Sequence, residues 1–64
     1  MEVKDTGTIL KIALAVISLF GFNDMQKNEI NNYVKNNMYT WISQRKNEDE
    51  IETMIKIEAS RISR

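Results

Sequence analysis

Side chains able to do chemistry are few in this sequence. The densest group is the acidic run Glu48, Asp49, Glu50 and Glu52. On a helix Glu48 and Glu52 stand one turn apart and share a face, the spacing two carboxylates need to hold a divalent cation or to divide acid and base roles. Di-metal carboxylate bundles add a histidine one turn from a glutamate, and calcium loops alternate oxygen donors around a central glycine. Neither pattern occurs, so the run is read as the solvated first turn of a helix, where the dipole favours negative charge. Ser18, Ser43, Ser60 and Ser63 would need a base to act as nucleophiles. The chain has no histidine and no cysteine, and no recognisable motif sets a serine beside a lysine or carboxylate. The same two absences remove disulfides, thiolate and imidazole catalysis, and nearly every zinc, copper or haem site. The expectation is a protein with no enzymatic activity, cofactor or metal.

Recognition chemistry is better represented. Tyr33, Tyr39 and Trp41 are interleaved with Lys27, Lys35, Arg45 and Lys46, and asparagine can pair bidentately with adenine. A helix up to Phe20, a turn at Gly21-Phe22 and a helix from Asp24 would make a helix-turn-helix, with Lys27, Asn28, Asn31, Asn32 and Lys35 as its DNA contacts. Against this, nine basic residues are balanced by nine acidic ones, so no overall field draws the chain to nucleic acid. DNA binding therefore stands second, with Tyr33 and Trp41 read first as core residues and the asparagines as a solvated face.

The elements that must position these residues are helices. Proline is absent and glycine occurs only at Gly7 and Gly21, leaving few breaks. The first helix is expected over about 8–20, capped by Thr6 or Thr8 and ended by Gly21 in a left-handed conformation. Asn23 and Gln26 form a capping-box pattern for a second helix over about 24–44. Its apolar positions Ile30, Tyr33, Val34, Met38, Trp41 and Ile42 fall on one face. Asn36-Asn37 is a weak helix segment where this helix could divide. Asn47 and Glu50 repeat the capping box for a third helix over about 48–62, buried through Ile51, Met54, Ile55 and Ile62. The expected fold is all-α: one domain over 1–64, a small bundle of three helices, or four if the second breaks near Asn37.

The first helix is the unusual one. Ile9, Leu10, Ile12, Ala13, Leu14, Val16, Ile17, Leu19 and Phe20 make it apolar around most of its circumference, whereas the other two offer one ordinary stripe each. Two stripes would leave several aliphatic side chains in water, each worth roughly 1.5–3 kcal/mol when buried. The bundle is therefore expected to dimerise through this helix or to dock it against another protein, with Ile9, Ile12, Leu14, Val16, Ile17 and Phe20 as interface and core residues. The run from Ile9 to Phe22 would span about 21 Å as a helix, short of the ~30 Å hydrocarbon layer, so membrane association is a third reading. Glu2 and Asp5 stand where a secretion signal would need positive charge, which points to the cytoplasm. The abundance of Ile, Asn and Lys is typical of AT-rich coding sequences and suggests a bacterial or phage source. The function expected is that of a small regulator, inhibitor or assembly subunit acting through protein contacts.

Overall fold

The computed structural model describes residues 2–63. It contains three α-helices, α1 (Thr6–Phe20), α2 (Asp24–Ser43) and α3 (Glu48–Ile62). Each packs against both others. The long dimension is 30 Å and the cross-section 18 × 17 Å. A helix of 20 residues is about 30 Å long and one of 15 about 22 Å. Thus α2 sets the length of the molecule, and neither α1 nor α3 can lie along a short axis. Short turns reverse the chain twice, giving an up-down-up bundle in which α1 and α3 begin at the same end.

Capping chemistry explains the boundaries. The start of α1 lies two residues before the expected one, because Asp5 takes the cap in place of Thr6 or Thr8. Its Oδ1 accepts from the Thr8 amide at 2.8 Å and from the Thr8 hydroxyl at 3.0 Å, and a carboxylate is the stronger acceptor beside the helix dipole. Gly21 ends α1 in the left-handed region, φ 63, its amide donating to the Ile17 carbonyl. Both expected capping boxes form: Asn23 Oδ1 accepts from Gln26 N at 2.9 Å and Asn47 Oδ1 from Glu50 N at 2.8 Å, each with the reciprocal bond in place.

α2 does not break at Asn36-Asn37. The Asn37 side chain donates back to the Tyr33 carbonyl at 2.7 Å. Val34, Met38 and Trp41 on either side are buried and hold the backbone in register, so packing overrides the weak propensity of the asparagines. Three helices result, not four. The end of α2 is a Schellman motif: Lys46 N donates to Trp41 O and Arg45 N to Ile42 O, with Arg45 left-handed at φ 58. Lys46 O then accepts from Val3 N at 2.9 Å, and Glu2 pairs with Asn47 in an isolated antiparallel bridge. This short extended segment lays Val3 over the top of the core.

The core is Ile9, Ala13, Val16 and Ile17 of α1, Ile30, Val34, Met38 and Trp41 of α2, and Ile51, Ile55 and Ala59 of α3, closed by Val3 at one end and Phe22 at the other. Trp41 is its largest side chain, set edge-on to Tyr33 with centroids 5.7 Å apart. Among the described residues no polar or charged residue is buried.

Candidate interaction surface

Every helix of a three-helix bundle keeps an outer face that no intramolecular neighbour can reach. On α2 the exposed residues include Lys27, Asn28, Asn32, Lys35, Asn36 and Tyr39, and on α3 Asp49, Thr53, Lys56, Ile57 and Ser60. Both faces are mainly polar, with Met25, Tyr39 and Ile57 as scattered apolar exceptions, as is normal for a protein surface. On α1 the exposed residues are Gly7, Leu10, Lys11, Leu14, Ala15, Ser18 and Leu19. These follow helical spacing and form one continuous stripe about half the circumference wide, with Lys11, its single charge, and Ser18 near the middle and Leu10 and Leu19 on opposite edges. Leu10 is 41% exposed, Leu14 64% and Leu19 73%.

Of the residues expected at an interface, Ile9, Val16 and Ile17 are buried in the protomer's own core, and Ile12 and Phe20 pack on its edge. Leu14 alone is exposed. The protomer covers more of α1 than two stripes could, because Val3 and Phe22 close the ends. What is left uncovered is the stripe through Leu14. Leu10 and Leu19 belong to it, although hydrophobic pattern alone did not separate them from the inward residues.

The residues expected at DNA lie next to this stripe. Lys27 and Asn31 line a shallow hollow with Leu14, Ile17, Ser18, Gly21 and Phe22. Lys27, Asn28, Asn32 and Lys35 are exposed and Asn31 is half-buried. A helix-turn-helix crosses its two helices at roughly 90–120°. Here α1 and α2 run antiparallel along the long axis, so α2 does not project from the turn as a recognition helix would.

The carboxylates of the acidic run are spread over separate tasks. Glu50 completes the capping box, Glu52 pairs with Lys56 at 2.8 Å, and Glu48 and Asp49 face water. Among the described residues no group of three Asp, Glu, His or Cys is placed to hold a metal ion. Another group of titratable side chains is Glu58 and Arg61 of α3 with Tyr33 of α2. Arg61 donates through Nε to Glu58 Oε1 at 3.0 Å and pairs again through Nη2, and this bond holds the Glu58 carboxyl below its usual range. Burial pushes the Tyr33 phenol up, and the charge of Glu58 adds to this. A phenol shifted upward holds its proton more firmly and is not poised as a base or nucleophile.

Among the described residues no helix is long and apolar enough to cross a membrane. Comparison with protein-family models, curated proteins and solved structures finds no match to this chain.

Proposed function

We propose that this chain is a non-enzymatic protein-binding module, a small regulator, inhibitor or assembly subunit, that dimerises through the outer face of α1. One observation carries the reading: of the three outer faces that of α1 exposes the most large aliphatic side chains, Leu10, Leu14 and Leu19, with Lys11 as its single charge. Leaving large aliphatic side chains in water is unfavourable, and a continuous stripe of them on a small domain is a surface suited to association.

Sedimentation equilibrium without detergent tests it. The protein, 7.5 kDa as a monomer, should show twice that mass as concentration rises. Leu14→Glu should remain monomeric with unchanged helix content, since Leu14 is outside the core. A wild-type monomer at all concentrations overturns the proposal.

DNA binding remains the second reading, supported by the exposed Lys27, Asn28, Asn32 and Lys35 on one unbroken helix. It requires a shift of a labelled duplex whose affinity falls steeply with salt. The antiparallel course of α1 and α2 weighs against it.

A further inference from the structure

We infer that the second copy docks on α1 antiparallel, about a two-fold axis passing between Leu14 and Ala15. The inference rests on the dimer reading above and adds its register. The exposed stripe on α1 is made of adjacent pairs one turn apart: Leu10-Lys11, Leu14-Ala15 and Ser18-Leu19. Reversing a helix about the point between Leu14 and Ala15 sets Leu10 level with Leu19 of the partner subunit, Lys11 with Ser18 of the partner subunit, and Leu14 with Ala15 of the partner subunit. Leu10 and Leu19 lie about 180° apart around the helix, so they flank the contact on opposite edges of the face. Lys11 and Ser18 lie about 20° apart near the middle of the face, so each Lys11 meets a hydroxyl, and the two-fold sets Leu14 beside Leu14 of the partner subunit. Gly7 and Gly21 at the ends of the stripe carry no side chain to collide, and nothing lies within 4 Å of where a Cβ on Gly21 would be.

Charge selects the same direction. α1 carries no acidic residue in its first turn and no basic residue in its last, so the negative end of its dipole has no cation of its own. Lys11 is the only charged residue in the helix. Antiparallel pairing brings each Lys11 to Ser18 of the partner subunit, one turn from that helix's C-terminus, where a cation is favoured. Parallel pairing would set the two Lys11 ammonium groups side by side and leave both C-termini uncompensated. Isologous contact also closes on itself, so both stripes are covered with none left to recruit a third copy.

The absence of cysteine makes the register directly testable. Lys11→Cys and Ser18→Cys are prepared separately. Both sites are exposed, so neither change threatens folding. The two variants are mixed, equilibrated in a glutathione redox buffer, and the disulfide-linked species identified by mass. The 11–18 heterodisulfide should exceed each homodisulfide by about tenfold or more, because residues 11 and 18 of one helix differ in level by about 10 Å and a disulfide tolerates Cα separations only to about 7 Å. An excess of the homodisulfides, or only the mixture that random pairing of the variants yields, overturns the register while a dimer seen by sedimentation keeps the parent reading. Wild type that is monomeric by sedimentation, including wild type that is monomeric yet bound to phosphatidylglycerol vesicles, overturns both. As a second readout, Lys11→Glu should weaken the dimer at least about threefold while Lys11→Met does not, since only the former places a carboxylate at the partner's helix C-terminus; equal dissociation constants would count against the register.

Discussion

Among the described residues two sit in the left-handed region, Gly21 at φ 63 and Arg45 at φ 58, and only one of them is a glycine. For an L-residue this conformation costs roughly 1–2 kcal/mol through the clash of Cβ with the following carbonyl. Glycine escapes that cost but loses about 0.5–1 kcal/mol more backbone entropy on folding. The difference predicts that Arg45→Gly stabilises the protein by somewhat under 1 kcal/mol. The Arg45 side chain is exposed and takes part in none of the ion pairs among the described residues, so its removal should offset little. For a domain of this size 1 kcal/mol corresponds to about 4–8 °C in Tm; the expected rise is about 4 °C. Urea titration followed by far-ultraviolet circular dichroism is the assay: the midpoint should move up while the slope stays constant. Arg45→Ala keeps the Cβ and should change stability by less than about 0.5 kcal/mol. Gly21→Ala is the mirror experiment. No atom lies within 4 Å of the added methyl, so the expected loss of about 1 kcal/mol is purely conformational. An Arg45→Gly midpoint equal to or below wild type, or an equal gain in Arg45→Ala, would refute the backbone argument.

The caps and the acid limb give two further tests. Asn23→Ala and Asn47→Ala should each cost about 1 kcal/mol, because each removes the acceptor of a first-turn amide; thermal denaturation measures this, and a loss under about 0.3 kcal/mol in both would show that packing, not capping, sets these ends. Asp5 is held below its usual range by bonds from the Thr8 amide and then the Thr8 hydroxyl, and Glu58 by its bond from Arg61. A carboxyl depressed by folding contributes stability that is complete above the unfolded-state pKa and is lost as the pH falls through the folded value. Tm should therefore be level from neutral pH down to about 5 and fall below about 4. In the Asp5→Asn, Glu58→Gln double variant that fall should be shallower, and an unaltered acid limb would deny these two groups their part in it.

How far the sequence could be read followed from which interactions are local. The starts of α2 and α3 were legible because a capping box is a contact between residues three apart, and the stop at Gly21 because a left-handed cap favours glycine. The continuity of α2 through Asn36-Asn37 was not, because it depends on Met38 and Trp41 packing against residues far away in sequence. The Schellman turn at Arg45 carried no glycine to announce it. The strand-like contact of Val3 with Lys46 joins segments more than forty residues apart in sequence, and no local pattern signals it. At the candidate surface the excess of apolar residues on α1 was plain, and periodicity placed Leu14 among them. Which of the nine face inward depends on where α2 and α3 approach, and that is a property of the packed bundle alone.

The division of α1 has a consequence for the kind of assembly it can enter. Its inner face is spent on Ile51 and Ile55 of α3, Ile30 and Val34 of α2, and the rest of the core, so pairing need not unfold or rearrange the protomer. The outer stripe is bounded on one side by Lys27 and Asn31 of α2, and it ends at Gly7 and Gly21. A heterologous contact would cover the stripe of one copy with some other surface and leave its own stripe open, inviting further addition. The other outer faces offer little for such a contact, since on them the exposed apolar side chains stand singly among charged and amide groups. In the proposed dimer the same stripe reversed sets each Lys11 at Ser18 of the partner subunit and each Leu14 beside its two-fold mate. Such a contact buries only a few side chains per copy, so its affinity should be modest and concentration should decide whether the protein presents α1 or conceals it.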